Sequence, residues 1–364
     1  MQSSAEPMQD ARAVAYRPLA LVAVLLLSAF VTLAPVPLGA EIPRAAEPPV
    51  AIEVAAQAIM SFDLRDPSLR RFGALEFRGG LVLTSTYREF GGISALRVGA
   101  DGAHFIALSD RGRWLRGRIL YDGTRPSGIA DAEMAPILGA DGLPLAAHGW
   151  YDTESIADDG GTLYVGIERV NQIVRFDFGS DGLLARGEPI ALPPGVRTLP
   201  HNKGLEAMVF VSAGRLAGTL IAISEQGLDK AGNLRAFLIG GPKPGNFTVK
   251  RSDDFDVSDA ALLPSGDLLL LERRFSLSRG LAVRIRRIPV ASIGPGALVE
   301  GPVLFEGDLA YQIDNLEGLS VHRAGGDIVL TLISDDNFSG RSGRCCCSSP
   351  WRRRKQSAGE WHPA

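Results

Sequence analysis

The 364-residue sequence contains almost no cysteine. Its three cysteines are adjacent, at 345–347, and none of the preceding residues is a cysteine. Without cysteine pairs in the body of the chain, an internal disulfide framework is excluded, even for an exported protein. No second group of ligands at zinc-like spacing accompanies the three, so we assign them no metal site.

A strong net charge and the common catalytic motifs are also lacking. The formal net charge is −3, which predicts no nucleic-acid partner. No Gly-x-Ser-x-Gly motif is present, which weighs against an esterase of the α/β-hydrolase type. The five histidines have no ligand-like spacing. An anionic substrate would therefore be held by local positive charge or by a bound cation.

The longest apolar run lies near the N-terminus. Arg12 and Arg17 precede the uncharged residues 19–34, and a stretch of small residues ends at Ala40. The run has 16 residues, short for a membrane span of about 20. We predict that residues 1–40 are a signal peptide of a periplasmic or secreted protein. The alternative is an uncleaved inner-membrane anchor facing the periplasm, which would be the protein's only membrane contact.

After a proline-rich linker at 41–54, the chain consists of short apolar runs that follow turn signals. Residues 105–108 follow Asp101-Gly102, and residues 162–167 follow Asp159-Gly160-Gly161. Short strands separated by such turns, without long amphipathic helices, predict an all-β domain.

Acidic residues recur at the ends of these apolar runs. They lie 58, 57, 47 and 63 residues apart, close to the length of a propeller blade. The spacing predicts a β-propeller over residues 55–339, with a sixth blade made by residues 55–86 and a C-terminal strand. The alternative is a two-sheet sandwich with coincidental spacing. The recurring residues are Asp110, Glu168, Glu225, Glu272 and Asp335.

In a propeller these strand ends surround a central channel, so the acidic residues would form a ring. Glu154, Glu206, Asp259 and Glu317 form a second recurring set. Like charges at close range require a neutralising partner, which would be an arginine or a hard cation such as Ca²⁺. In the alternative interpretation, the acids bind backbone amides of the neighbouring blade and their spacing reflects only the fold.

Six motifs resemble the phytase-like domain family, described by an esterase-like activity of phytase. They occur in the family's order within residues 58–339, and the resemblance implies a β-propeller in a periplasmic or secreted protein. The motifs are EFGGIS at 89–94, SDRG at 109–112, NKGLEA at 202–207, LERRFS at 271–276, DNLEG at 314–318 and SDDNFS at 334–339.

The resemblance implies a metal-assisted hydrolase of phosphate or carboxylate esters with a small anionic or ester substrate. The alternative is a non-catalytic periplasmic binding or scaffold propeller. We separately expect the protein to be a monomer. Arg111, Arg169, Lys203 and Arg273 are the candidate substrate-binding residues. The candidate Ca²⁺ ligands are Asp110, Glu154, Glu168, Glu206, Glu225, Glu272, Glu317 and Asp335.

The end of the chain departs from the family pattern. After Ser339 the sequence continues GRSGRCCCSSPWRRRKQSAGEWHPA, without an alternating apolar strand. We interpret this change as a shift of reading frame. We predict that residues 340–364 are disordered and that the last blade is one strand short.

Overall fold

The computed structural model describes residues 47–335 and the backbone of 345–353, and the statements below refer to these residues. The signal peptide or anchor predicted at 1–40 lies outside them. Within the described ranges, no helix is both long and apolar enough to span a lipid bilayer.

Strands dominate the described residues. They are β1 (Val50–Ala51), β2 (Ala55–Ile59), β3 (Arg71–Phe72), β4 (Leu75–Phe77), β5 (Gly80–Thr84), β6 (Ile93–Val98), β7 (His104–Ser109), β8 (Arg113–Asp122), β9 (Arg125–Pro136), β10 (Leu138–Gly139), β11 (Thr153–Asp159), β12 (Thr162–Ile167), β13 (Gln172–Asp177), β14 (Arg186–Pro189), β15 (Leu205–Val211), β16 (Thr219–Leu228), β17 (Leu234–Gly240), β18 (Gly245–Val249), β19 (Asp256–Leu262), β20 (Leu268–Ser276), β21 (Gly280–Ile288), β22 (Leu298–Val299), β23 (Val303–Asp308), β24 (Leu316–Ala324), β25 (Asp327–Ser334) and β26 (Cys345–Arg353).

Helical structure among the described residues is limited to short connections. One α-helix, α1 (Phe178–Asp181), has four residues. The 3-10 helices are Leu145–His148, Glu168–Val170, Gly182–Leu184, Val196–Thr198, Gly214–Leu216 and Val290–Ser292.

The strands form five sheets. Sheet 1 has the order β1-β9-β8-β7-β6, sheet 2 the order β10-β14-β13-β12-β11, and sheet 3 the order β15-β16-β17-β18-β22. Sheet 4 has the order β19-β20-β21-β23. Sheet 5 has the order β2-β5-β26-β25-β24. In addition, β4 pairs with β26, and β3 pairs with β4.

The five sheets are arranged in a ring. The innermost strand of each sheet contacts the innermost strand of the next sheet, in the order β6, β11, β15, β19 and β24, and β24 contacts β6. Five apolar clusters fill the spaces between neighbouring sheets. Trp114 of sheet 1, for example, packs edge-on against Phe176 of sheet 2. The prediction of an all-β β-propeller is confirmed.

The turn residues seen in the sequence join the strands as expected. Ser265-Gly266-Asp267 connects β19 to β20, and Gly266 has φ of +85°. This left-handed conformation is open to glycine because glycine has no Cβ. Asp267 accepts a hydrogen bond from the backbone amide of Val290 at 2.9 Å, which fixes the turn against the rest of sheet 4.

The predicted sixth blade is not confirmed. Residues 55–86 do not form a sheet of their own, because β5 pairs with β26 and joins the sheet that contains β24 and β25. Strands from both ends of the chain thus complete a single sheet. Such pairing removes two open sheet edges, which would otherwise expose unpaired backbone groups.

The structure also differs from the prediction that no strand follows Ser339. The backbone of β26 (Cys345–Arg353) pairs with β25 on one side and with β5 on the other. A gap between two sheet edges accepts any extended backbone, since the ladder hydrogen bonds do not depend on side-chain type. Residues 340–344 and 354–364, also predicted to be disordered, lie outside the described residues.

Candidate functional site

Each innermost strand carries a β-bulge near its start. The pairing of β11 with β12 passes from Thr153–Ile167 to Ser155–Gly166 and skips one residue. The same shift occurs in the other four sheets. A bulge leaves its extra residue outside the ladder and redirects the side chain of that residue. The five extra residues are therefore at equivalent positions and form a first ring of side chains. They are Ser94, Glu154, Glu206, Ser258 and Glu317.

A second ring results from the same pairing. The backbone amide of Glu168 donates to the carbonyl of Asp152 at 2.9 Å, and equivalent bonds of 2.8–3.0 Å occur in sheets 1, 3 and 5. In sheet 4, the residue paired with Asp256 at this position is Arg273. The second ring consists of Asp110, Glu168, Glu225, Arg273 and Asp335.

Glu272 does not lie at the predicted ring position, and Arg273 takes its place. Side chains alternate between the two faces of a strand, so a shift of one residue moves the carboxylate to the other face of β20. There Glu272 is fully buried. It accepts hydrogen bonds from Arg284 at 2.9 Å and from Arg286 at 2.6 Å. These two arginines occupy both of its oxygens, so Glu272 is part of the packing of sheet 4.

The second ring and the three glutamates of the first ring line one pocket of about 630 Å³. Seven of the eight carboxylates predicted as metal ligands line it, and Asp152 is an eighth acidic residue there. Among the lining residues, Lys203 and Arg273 carry the positive charges. Eight carboxylates therefore face two cations. The acidic residues are Asp110, Asp152, Glu154, Glu168, Glu206, Glu225, Glu317 and Asp335.

Arg273 is the main counter-charge of the pocket. Its Nη1 donates to Glu317 Oε1 at 2.6 Å and also to Asn315 Oδ1, and its Nη2 lies 3.3 Å from Glu225 Oε1 and 3.8 Å from Glu206 Oε1. Burial lowers the pKa of Arg273, but the surrounding carboxylates, Glu317 first, outweigh burial and raise it. The arginine thus stays charged and joins sheets 3, 4 and 5.

Glu168, Glu206 and Glu225 converge on one point of the pocket. One oxygen from each lies within 4.8 Å of the other two. Glu168 accepts the amide of Gly204 at 2.7 Å, and Glu225 lies 2.9 Å from Lys203 Nζ. Glu206 is only 6% exposed, and its Oε2 is buried without a hydrogen-bond partner among the described residues. We call these three residues the glutamate trio.

Burial and neighbouring charges raise the pKa of two members of the trio, Glu206 and Glu168. Burial, followed by the charges of Glu154 and Glu168, raises the pKa of Glu206 well above its usual value. Burial also raises the pKa of Glu168 to about 7, although the hydrogen bond from Gly204 opposes the shift. Buried carboxylates that repel one another favour either protonation or a bound cation.

Carboxylates elsewhere in the pocket are shifted in the same direction. Burial, followed by the charge of Asp335, raises the pKa of Asp110 to about 6, while Arg111 opposes the shift. Burial raises the pKa of Glu317 to about 7, with Arg273 opposing and Asp335 adding to the shift. Both groups therefore change charge near neutral pH.

Two of the four predicted substrate-binding residues do not line the pocket. Arg111 is exposed in the turn after β7 and acts on Asp110 through its charge. Arg169 is also exposed, and its guanidinium lies 4.6 Å from the centre of the Tyr151 ring. Lys203 and Arg273 are the two that the structure places in the pocket.

Another buried charge pair lies between the innermost strands. Arg97 of sheet 1 reaches Asp259 of sheet 4, with nitrogen–oxygen distances of 2.9 and 3.1 Å. The guanidinium also donates to the carbonyls of Met208 in sheet 3 and Leu319 in sheet 5. Asp259 in turn accepts the amides of Leu319 and Ala260, each at 2.7 Å. We call Arg97 and Asp259 the axial pair. It connects four sheets, and both Nη atoms of the arginine and both oxygens of the aspartate are hydrogen-bonded.

Sequence reasoning did not identify one side of the pocket. Three apolar residues from sheet 4 or from the turn that follows it line the pocket: Phe275, Leu281 and Leu309. Asn202 and Asp152 also line the pocket. Phe275 follows Arg273 by two residues, and residues two apart on a strand lie on the same face. This spacing could have predicted that Phe275 faces the pocket.

Residues 88–338 match the family described as "Phytase-like: Esterase-like activity of phytase". A comparison with curated protein sequences finds no match. The structure is similar to a PQQ-bound aldose sugar dehydrogenase from Streptomyces coelicolor, with 14% identity, a TM-score of 0.37, and coverage of 84% of this chain and 100% of that chain.

Two further solved structures resemble the chain at a similar level. The Malassezia sympodialis allergen Mala s 1 has 11% identity and a TM-score of 0.39, covering 81% of this chain and 95% of that chain. A Myxococcus xanthus glutaminyl cyclase has 11% identity and a TM-score of 0.34, covering 72% and 97%. These structural likenesses are too weak to indicate a shared function. The family match covers most of the chain and includes every acidic residue of the pocket, and the chain belongs to the phytase-like family.

Proposed function

We propose that the acidic pocket is the active site of a cation-dependent hydrolase of phosphate or carboxylate esters. The glutamate trio carries this proposal, because the buried Oε2 of Glu206 accepts no hydrogen bond from the described residues. A buried carboxylate oxygen without a donor is costly unless a cation neutralises it. Eight carboxylates facing two cations point to the same requirement.

The donors of the pocket suit Ca²⁺. This ion binds about six to eight oxygen atoms, many of them from carboxylates, and the three trio oxygens lie close enough together to share one ion. Glu168, Glu206 and Glu225 would hold it. When bound, Ca²⁺ would neutralise these carboxylates and polarise a phosphoryl or carbonyl oxygen of the ester.

Three other polar residues of the pocket would bind the substrate or transfer a proton. Lys203 and Arg273 both contact Glu225, so their positive charges lie beside the trio and would bind the anionic part of a substrate. Asp110, with a pKa of about 6, can accept a proton from an attacking water molecule at neutral pH.

The activity is tested with the full chain on phytate, simple phosphate monoesters and carboxylate esters, with Ca²⁺ or with a chelator. We expect turnover that requires Ca²⁺ and is lost in Glu206→Gln. The control is Glu188→Gln, which changes an exposed glutamate in β14. A folded protein that binds Ca²⁺ but hydrolyses none of these esters would instead support a non-catalytic binding or scaffold propeller.

We also propose that the protein is exported as a monomer to the periplasm or beyond. The support is the basic flank and apolar run at residues 1–40. Cell fractionation with N-terminal sequencing tests the proposal. Recovery of the full-length chain, with Met1 intact, from the cytoplasm would contradict it, and an intact chain in the membrane fraction would indicate the anchor.

A further inference from the structure

The apolar side of the pocket is built on the strand that carries Arg273. Successive side chains alternate between strand faces, and residues two apart lie about 7 Å from each other on one face. Phe275 is therefore the next residue beyond Arg273 on the pocket side of β20. Leu281 is its directly paired neighbour on β21. Leu309, in the turn after β23, lies beside Gly280 at the start of β21. We call Phe275, Leu281 and Leu309 the apolar wall.

The apolar wall is exposed although its side chains are large. Phe275 is 72% exposed and Leu309 is 57% exposed. Single exposed apolar residues are ordinary, but a group beside a polar pocket is typical of a binding surface. In sheets 1 and 3, the position two residues after the ring residue is a glycine, Gly112 or Gly227. The wall therefore makes the pocket asymmetric.

The hairpin that carries the wall is fixed in place. Arg279, at its tip, lies 2.5 Å from Asp254 in the loop before β19. The guanidinium of Arg274 lies 4.7 Å from the centre of the Phe255 ring in the same loop. Both contacts reach β20 and β21 from outside the pocket, so they leave the wall free to contact a ligand.

We propose that the substrates of this pocket are amphipathic phosphate esters, in which an aryl or alkyl group lies on the apolar wall. The inference rests on the proposed function and specifies its substrate class. Anchoring the phosphate near Arg273 and Lys203 places the ester group about one side chain further along β20, at Phe275. A highly polar polyphosphate would leave the apolar wall in contact with water. The apolar area of the wall would then add nothing to binding.

The test compares two non-hydrolysable ligands, phenylphosphonate and methylphosphonate, by calorimetric titration into the full chain in the presence of Ca²⁺. We expect phenylphosphonate to bind roughly tenfold more tightly than methylphosphonate, since burial of a ring on the wall removes apolar area from water. Phe275→Ser and, independently, Leu309→Ser should weaken phenylphosphonate binding roughly five- to tenfold and leave methylphosphonate binding unchanged within about twofold. Leu298→Ser is the control, because Leu298 is 55% exposed and lies in β22, outside the pocket.

The outcomes separate this inference from the proposed function. Equal affinity for the two phosphonates, an equal loss for both in Phe275→Ser, or no binding of either would overturn the apolar wall as a substrate site. If phenylphosphonate binds in a wall-dependent manner but the protein hydrolyses no ester, the ligand class stands and the hydrolase proposal fails. Where turnover occurs, phenyl phosphate should exceed glycerol phosphate in kcat/KM, and Phe275→Ser should remove that difference.

Discussion

The ring of innermost strands contains two clusters of buried charge that are constructed differently. In the axial pair, one arginine meets one aspartate, and carbonyls and amides of four other residues complete the bonding. In the pocket, eight carboxylates meet two cations, and an oxygen of Glu206 has no partner among the described residues. A balanced and saturated pair stabilises the assembled sheets, whereas an unbalanced cluster favours a ligand of opposite charge.

The largest effect is expected from breaking the axial pair. Arg97→Met leaves Asp259 fully buried without its counter-charge, and loss of one partner of a buried pair costs about 3–5 kcal/mol. Urea denaturation of the full chain measures this change. The control is Arg116→Met, because the Arg116–Glu133 pair is partly exposed and should contribute about 1 kcal/mol or less. Equal losses for the two variants would show that the axial pair is not structural.

A smaller loss of stability is expected for Arg273→Met in the cation-free protein at pH 8. The change removes the counter-charge of Glu317, Glu225 and Glu206 and should cost about 2–3 kcal/mol. Millimolar Ca²⁺ should restore much of this loss, because a bound cation replaces the missing charge. For Arg97→Met, Ca²⁺ should leave the mutational loss unchanged. Equal rescue of the two variants would contradict the distinction between the clusters.

The pocket also predicts how stability depends on pH. The pKa values of Asp110 and Glu317 are raised in the folded protein, to about 6 and about 7. The folded state therefore binds more protons than the unfolded state, and the free energy of unfolding should fall as pH rises from about 4 to about 7. A pKa difference of one unit between the two states contributes about 1.4 kcal/mol, so the fall should exceed about 3 kcal/mol. Asp110→Asn should reduce the fall between about pH 4 and pH 6. Glu317→Gln should reduce it between about pH 4.5 and pH 7, where Glu168 also contributes. Stability that rises over this range in the cation-free protein would contradict the raised values.

The smallest effect is expected for Glu206→Gln without cation. In the folded protein at pH 8, Glu206 must either take up a proton or stay charged among other carboxylates, and both states cost free energy. The neutral Gln removes this cost and should stabilise the protein by about 1 kcal/mol. Thermal unfolding against Glu188→Gln, at an exposed position, measures the difference. A clear loss of stability in Glu206→Gln would indicate that the carboxylate has a structural partner.

Much of this arrangement was predictable from the sequence because the repeat is tied to strand ends. The propeller was predicted, and seven of the eight predicted acids line the pocket. Glu272 was placed wrongly because Leu271-Glu272-Arg273 resembles Ile167-Glu168-Arg169, while pairing places Arg273 opposite Asp256. The position of the β-bulge sets the register between β19 and β20. In sheet 4 the bulged residue is Ser258, and no sequence pattern marks it.

The number of blades was the other feature that the sequence did not reveal. Residues 55–86 were predicted to form a sixth blade with a C-terminal strand, but β5 and its C-terminal partner β26 belong to the sheet of β24 and β25. Pairing over such a distance depends on which sheet edges are open, and local patterns do not encode it. The apolar wall was missed for a related reason, since Phe275 appears as part of a motif until the faces of β20 are known.

Calorimetric titration of Ca²⁺ into the full chain at pH 8 tests the central claim most directly. The account predicts one saturable site with a Kd of about 1 mM or tighter, at least roughly tenfold weaker in Glu206→Gln and unchanged in Glu188→Gln. It also predicts release of protons on binding, because the raised pKa of Glu206 favours its protonated form without the cation. Absence of saturable binding, or equal affinity in Glu206→Gln, would contradict it.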